Sequence, residues 1–221
     1  MSFALPVSRL KHPASLLPGI ALAAALALAP APASAQSSNP TLPMAARVKG
    51  SATAPVTVYE MADFQCPVCG RFFREIWPTL DKEYVATGKV RWVFINFPLS
   101  QIHANAEAAA EFAVCAGTQG KFWQAHDMLY NNQENWEKLK DPVPYFQSKI
   151  ASLGLKSDAM TTCLQSGAAR SMVKDDALGA ERSGAHSTPN FYIEGGIMEG
   201  LYPIEVFRKV LDSVVKAKSK K

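Results

Sequence analysis

The chain has 221 residues, of which 48% are hydrophobic and 19% charged, and its formal net charge is +4 at pH 7. This length can bury one sizeable core, and the composition is that of an ordinary globular protein. The small excess of positive charge gives no reason to expect a nucleic-acid partner. We interpret the lysines that end the chain as a solvated helix end.

The N-terminal region has the three parts of a secretory signal peptide. Arg9 and Lys11 precede an almost uncharged run over residues 13–29, which is followed by the small-residue string APAPASAQ. This pattern predicts a signal peptide at residues 1–35, cleaved before Gln36. An uncleaved membrane anchor is the alternative, although the run is shorter than the roughly 20 residues that span a bilayer. We therefore expect a mature protein in the periplasm or elsewhere outside the cytoplasm, where disulfides persist.

A leader, a strand, a helix and a second strand come next along the chain. Residues 36–51 are rich in Ser, Pro and Ala without a sustained period, which predicts a leader or linker. The β-forming sequence APVTVYEMAD then runs directly into the CPVC motif, and apolar residues at helical spacing follow it. Pro78 interrupts this spacing and predicts a kink or a restart of the helix. KVRWVFINFPL, at residues 89–99, predicts a buried strand parallel to the first.

The second half of the chain is mostly helical. Residues 100–184 are helical in composition or spacing, with Gly, Pro and Asn between the segments. TPNFYIEGGIMEG, at residues 188–200, predicts two short strands around a turn. Apolar residues from Val206 to Val215 predict an amphipathic closing helix. The predicted order is βαβ, a block of helices, then ββα, which is an α/β fold.

The two cysteines of CPVC, Cys66 and Cys69, fit a reactive pair better than a metal site or a structural disulfide. A zinc site needs four ligands, and the other two cysteines and the histidines are too scattered along the sequence to complete one. A structural disulfide across so short a loop would stabilise little. Pro67 suits the first position of a helix, which makes Cys66 the cap residue, where backbone N–H groups and the helix dipole stabilise a thiolate.

This arrangement resembles the thioredoxin superfamily, and the whole pattern is most similar to the DsbA-type thiol:disulfide oxidoreductases. The resemblance rests on the strand leading into DFQCPVC, the helical block, STPNF before the last hairpin and the final helix. It implies a thioredoxin fold formed by residues 52–99 and 185–221. A helical subdomain, residues 100–184, would be inserted between the βαβ and ββα halves.

The resemblance also implies further site residues. A cis-proline loop faces the cysteines in this family, and Thr188-Pro189 occupies the matching place, although a trans proline that opens a strand is the alternative. If the bond is cis, the Thr188 backbone is exposed and can pair with a substrate peptide. With Thr188, we assign Pro67 and Val68 to substrate binding.

Glu60 lies where DsbA-type proteins carry a buried acid beneath the resolving cysteine. Such a carboxylate could relay the proton of Cys69. The alternative is a Glu that faces solvent from its strand. Asp63 is a weaker candidate for this role, and we interpret His103 and His126 as structural residues.

Cys115 and Cys163 lie within the helical block. Unpaired thiols are a hazard in an oxidising compartment, and some DsbA-type proteins carry a second bridge in this region, so we predict a structural disulfide between them. Two buried free thiols are the alternative.

The function implied is that of an exported, monomeric thiol:disulfide oxidoreductase that needs no cofactor and no metal. We predict an oxidase that donates its disulfide to reduced or unfolded secreted proteins, with Cys66 as the exposed sulfur that the substrate thiolate attacks. A membrane partner of the DsbB or VKOR type would reoxidise the pair.

The direction of electron flow stays open at the level of sequence. Val68 supplies no charge where DsbA carries His, which predicts a milder oxidant than DsbA. The Thr before the proline is shared with the DsbC and DsbG isomerases, so a reductase or isomerase is the enzymatic alternative. A redox-inert chaperone or peptide-binding module is the alternative from another functional class.

Overall fold

In the computed structural model, which describes residues 44–219, five strands form one mixed sheet in the order β1-β3-β2-β4-β5. Strands β2 and β3 are parallel, and the other neighbouring pairs are antiparallel. The strands are β1 (Val48–Lys49), β2 (Val56–Ala62), β3 (Val90–Asn96), β4 (Asn190–Ile193) and β5 (Gly196–Glu199). The predicted signal peptide and the first part of the predicted leader lie outside the described residues.

Strands β2 and β3 are parallel, as predicted, and each has a neighbouring strand on both sides. Both strands are rich in β-branched and aromatic residues and are buried along most of their length. Their register runs from Val56↔Val90 to Ala62↔Asn96, so the carboxyl ends of the two strands are level. The loops that follow Ala62 and Asn96 therefore lie at the same edge of the sheet.

The helical connection between β2 and β3 restarts close to its proline. It begins as α1 (Pro67–Arg71), continues as a π-helical segment (Phe72–Ile76) and restarts as α2 (Trp77–Leu80) before a second π-helical segment (Asp81–Val85). Pro78 sits in the first turn of α2, where a missing N–H costs least. The wider π-helical turns accommodate the change in backbone hydrogen bonding.

Six helices connect β3 to β4, and one more closes the chain. They are α3 (Ala106–Gly117), α4 (Phe122–Asn131), α5 (Gln133–Trp136), α6 (Val143–Lys149), α7 (Ser157–Ser166), α8 (Ala168–Arg182) and α9 (Ile204–Lys218). The α3–α8 block shares a hydrophobic core with Phe64 and Phe94 of the sheet region, whereas α9 packs Phe207 and Leu211 into a second core. Within residues 44–219, no helix is long and apolar enough to cross a bilayer. The α/β fold with its helical insertion is thus confirmed.

The last part of the predicted leader belongs to the folded structure. Met44–Arg47 forms a short 3-10 helix, and β1 follows it and pairs antiparallel with β3. Arg47 is buried, and its guanidinium forms an ion pair with Asp176 of α8 and a hydrogen bond with the Phe94 carbonyl. From Met44 onward, the segment predicted as a leader or linker is thus held by contacts that are distant in sequence.

Candidate active site

The strand-to-helix junction after β2 positions the two motif cysteines. Cys66 is the N-cap of α1, and Pro67 is its first residue. The backbone N–H of Cys66 donates to the Asp63 carbonyl at 3.1 Å, and the N–H of Gly70 donates to the Cys66 carbonyl at the same distance. These two bonds close a tight turn into the helix, and Cys69 lies one turn further along.

Both thiols are free and shielded from solvent. Cys66 is only 5% exposed and Cys69 is fully buried. The expectation that Cys66 presents an exposed sulfur is therefore wrong for this reduced state. The reason is the loop that precedes β4: the Cys66 Sγ atom lies 3.5 Å from the Thr188 carbonyl oxygen, to which the thiol can donate a hydrogen bond.

The surroundings of Cys66 favour its thiolate. The hydrogen bond from the Cys69 thiol is the largest cause, and together with Thr188 and the backbone N–H groups of Val68 and Cys69 it lowers the pKa of Cys66 from 9.0 to about 6. Burial opposes this shift. A pKa of about 6 leaves about 90% of the Cys66 side chain ionised at pH 7.

The pKa of Cys69 is shifted in the opposite direction. Burial is the largest cause that raises its pKa well above 9.0, and the hydrogen bond with Cys66 and the negative charges of Cys66 and Asp63 act in the same sense. The backbone of Asp63 opposes the shift through a hydrogen bond. The pair therefore holds one negative charge and one proton, with the charge on Cys66 and the proton on Cys69.

The loop before β4 adopts the conformation that the resemblance implies. The Thr188–Pro189 peptide bond is cis, and it brings the Thr188 carbonyl to the Cys66 thiol. Thr188 is 8% exposed, which differs from the exposed backbone that we expected. The Thr188 carbonyl accepts a hydrogen bond from Cys66 only while that thiol is protonated.

Glu60 is buried on β2 and does not face solvent. It is 3% exposed, and the indole N–H of Trp92 on β3 donates a hydrogen bond to its Oε2 atom at 2.7 Å. Burial raises the pKa of Glu60 from 4.5 to about 7, although the bond from Trp92 lowers it. The carboxyl group can thus gain or lose a proton near neutral pH.

Asp63, the weaker candidate of the sequence interpretation, is buried and pairs with the partly buried His103, which that interpretation took as structural. His103 Nδ1 lies 2.7 Å from Asp63 Oδ2, which also accepts the N–H of Leu99 at 2.8 Å. The other carboxylate oxygen accepts the N–H of Gln65 at 2.7 Å. The signal in the sequence was topological, because Asp63 follows β2 and His103 follows β3, whose carboxyl ends are adjacent.

Helix α5 holds the cysteine loop from the side of the helical block. The side-chain amide of Gln133 donates to the carbonyls of Phe64 and Cys66, at 2.7 and 2.9 Å. Gly70 permits this approach, since a Cβ atom there would collide with the Gln133 amide. These contacts, too, were not foreseen from the sequence.

His126 is structural, and the site has no metal-binding cluster. Its ring lies among aromatic side chains, burial lowers its pKa below 6.5, and its Nδ1 atom lies 2.8 Å from Asp127. Among residues 44–219, His, Cys, Asp and Glu side chains form no group of three or more that could hold a metal ion. The chemistry available here is that of two thiols with nearby acid and base groups.

Comparison with known proteins gives one family match and two kinds of relative. The family model described as Thioredoxin (Thioredoxin_4) matches residues 44–213. The Na(+)/H(+) antiporter NhaA 1 of Salinispora arenicola is 32% identical over 174 residues, which cover 79% of this chain and 25% of the antiporter. The chain thus spans about a quarter of the length of that relative. The probable disulfide bond formation protein D of Bacillus anthracis is 30% identical over 76% of this chain and 77% of its own length.

Solved structures share the fold. BdbD from Bacillus subtilis, in its oxidised state, superposes with a TM-score of 0.69 at 22% identity, over 77% of this chain and 92% of that one. Alpha-DsbA1 from Wolbachia pipientis gives 0.68 at 24% identity, over 78% and 92%. The family match covers most of the chain, and protein D is matched over most of its length. The chain belongs to the thioredoxin family that this model describes.

Proposed function

We propose that this protein is a thiol–disulfide oxidoreductase that works outside the cytoplasm and donates the Cys66–Cys69 disulfide to secreted protein substrates. The observation that carries the proposal is the asymmetry of the pair. The pKa of Cys66 is lowered to about 6, whereas burial raises that of Cys69 well above 9.0. One sulfur is therefore a good leaving group and nucleophile near neutral pH, and the other keeps its proton.

The exchange proceeds in two steps that balance in electrons and protons. A substrate thiolate attacks the Cys66 sulfur of the oxidised protein, the Cys66–Cys69 bond breaks, and Cys69 leaves and takes up a proton. A second substrate thiolate attacks the substrate sulfur of the mixed disulfide, and Cys66 leaves as a thiolate. The substrate dithiol loses two electrons, the protein disulfide gains them, and one proton goes to solvent at pH above 6.

The surroundings of Cys66 supply the contacts for a substrate. Pro67 is exposed and Val68 partly so at the start of α1. The Thr188 carbonyl, which precedes the cis bond to Pro189, lies 3.5 Å from the Cys66 Sγ atom. In the oxidised protein Cys66 has no thiol proton to donate to the Thr188 carbonyl, so a substrate strand would pair with that loop. In this proposal Glu60 takes part in the transfer of the Cys69 proton, which its pKa of about 7 supports.

The proposed direction and compartment rest on the ionisation of Cys66 and on the second cysteine pair. A stabilised thiolate stabilises the reduced protein, which makes the disulfide more oxidising. Cys115 and Cys163 are joined by a disulfide with an S–S distance of 2.08 Å, and such bonds persist in oxidising compartments. Export through residues 1–35, a monomeric state and reoxidation by a membrane partner of the DsbB or VKOR type complete the proposal.

The test mixes oxidised protein with a reduced peptide that contains two cysteines and follows the peptide disulfide by mass spectrometry. We expect stoichiometric oxidation by the native protein and no reaction with Cys66→Ser. Cys69→Ser is instead mixed with the disulfide form of the same peptide, where the Cys66 thiolate should attack one peptide sulfur, release the other as a thiolate and remain in a mixed disulfide that Cys69 cannot resolve. Equilibration with glutathione then sets the direction. A potential as low as that of thioredoxin, about −270 mV, would refute the oxidase and favour a reductase or isomerase. Undiminished activity of Cys66→Ser in suppressing aggregation would favour a chaperone.

A further inference from the structure

Asp63 is held from three sides and is tied to both cysteines. Its two carboxylate oxygens accept hydrogen bonds from Gln65, Leu99 and His103, and its carbonyl accepts the N–H of Cys66. Its own backbone forms a hydrogen bond with Cys69. With its carboxylate fully buried, Asp63 cannot move relative to the cysteine loop without breaking several bonds at once.

His103, which contacts the Asp63 carboxylate, is itself partly exposed to solvent. Its side chain is 16% exposed, so it can exchange a proton with water while its Nδ1 atom stays on Asp63. The hydrogen bond to Asp63 is the largest cause that raises the pKa of His103 above 6.5, with burial opposing it. The charges of Cys66 and Glu137 also raise this pKa, so the anionic groups that act on the ring are Asp63, Cys66 and Glu137.

Asp63 and His103 act on different cysteines. The negative charge of Asp63 acts on Cys69, where it disfavours ionisation. His103 is coupled to Cys66, because the negative charge of the Cys66 thiolate stabilises the imidazolium. Coupling between two sites is reciprocal, so a protonated His103 must stabilise the Cys66 thiolate by the same free energy. The CPVC motif itself contains no other charged side chain.

We propose that the Asp63–His103 pair strengthens the charge asymmetry of the reduced dithiol, in addition to the larger effects of burial and of the hydrogen bond between the two cysteines. The carboxylate disfavours ionisation of Cys69, and the imidazolium favours the thiolate on Cys66. Asp63 and His103 are positioning residues in this scheme, because the side chain of neither forms a hydrogen bond with a reacting sulfur. The catalytic meaning of the scheme rests on the proposed function, but the ionisation can be measured in a protein that has no activity.

The first test compares pKa values by two independent measurements. Ultraviolet absorbance of the thiolate gives the pKa of Cys66 in the native protein and in His103→Gln, and we expect it to rise by about half a unit, a threefold change in the ionisation constant. NMR titration of the His103 ring in native protein gives its pKa in the oxidised and reduced states. Reciprocity requires that value to be higher in the reduced state by a similar amount. If the pKa of His103 is the same in the oxidised and the reduced protein, the proposal is overturned. This outcome does not depend on whether the His103→Gln variant folds.

The second test separates charge from structure with a double-mutant cycle. Asp63→Asn removes the counter-ion of His103, so His103→Gln should then change the pKa of Cys66 by much less than in the native background. Additive effects of the two substitutions would overturn the proposal. His186→Gln is the matched control, because His186 is an exposed histidine two residues before Thr188. We expect it to leave the pKa of Cys66 unchanged, and a shift as large as that of His103→Gln would also contradict the scheme.

Discussion

The hydrogen bond from Cys69 to Cys66 can be removed without adding a charge, by the substitution Cys69→Ala. It is the largest cause of the lowered pKa of Cys66, which is about 6 instead of 9.0. A hydrogen bond to a charged group contributes about 1.5–3 kcal/mol, which corresponds to roughly 1–2 pKa units. The pKa of Cys66 should therefore rise to about 7–8 in Cys69→Ala. The thiolate fraction at pH 7 then falls from about 90% to between about 10% and 50%.

The matched control is Cys69→Ser, which keeps a hydroxyl donor at the same place. With Cys115 and Cys163 in their disulfide, Cys66 is the only remaining thiol of either variant, since the chain has four cysteines. Absorbance at the thiolate band against pH, checked by the pH dependence of alkylation, reports its pKa directly. We expect the Ser variant to stay closer to the native value than the Ala variant. If Cys69→Ala still titrates at about 6, the reasoning is refuted, and the helix start and Thr188 alone account for the thiolate.

Three further predictions concern stability. Burial raises the pKa of Glu60 from 4.5 to about 7. As the pH rises, the unfolded chain therefore loses this proton at a lower pH than the folded protein does. The oxidised protein should lose about 3 kcal/mol of stability between pH 4.5 and 7. Denaturant unfolding against pH should show this loss absent in Glu60→Gln, and an equal loss in the variant would contradict the assignment. Replacing Cys115 and Cys163 by Ser removes a cross-link with a sequence separation of 48, which should cost about 4 kcal/mol in chemical denaturation; a cost under about 1 kcal/mol would contradict the loop-entropy account. Gly70→Ala places a methyl group against the Gln133 side chain of α5 and should destabilise the protein by about 1–3 kcal/mol. Gly179→Ala, at an open position on α8, is the control and should be neutral or stabilising. Equal melting temperatures of the two variants would contradict the packing of Gly70 against α5.

The sequence by itself determined the order of the elements and singled out the two cysteines that we propose as the reactive pair. Strand and helix periods are local properties, so βαβ, the helical block and the ββα end could be read in chain order. The cap position of Cys66 also followed from local chemistry, because proline at the first helical residue leaves the preceding residue as the cap. The position of Pro189 and the candidacy of Glu60 came from the resemblance that these local motifs support.

Only the tertiary structure decided what surrounds that pair. The burial of Cys66 depends on a carbonyl 122 residues away, and the Asp63–His103 pair joins residues 40 apart. No local pattern specifies such contacts. The first contact arises because β4 runs antiparallel to β2, which brings the start of β4 beside the end of β2. The second arises because β2 and β3 are parallel and level, which brings the loops after both strands to one edge of the sheet. The segment from Met44 joined the fold for the same kind of reason, since the buried charge of Arg47 needs the carboxylate of Asp176 on a distant helix.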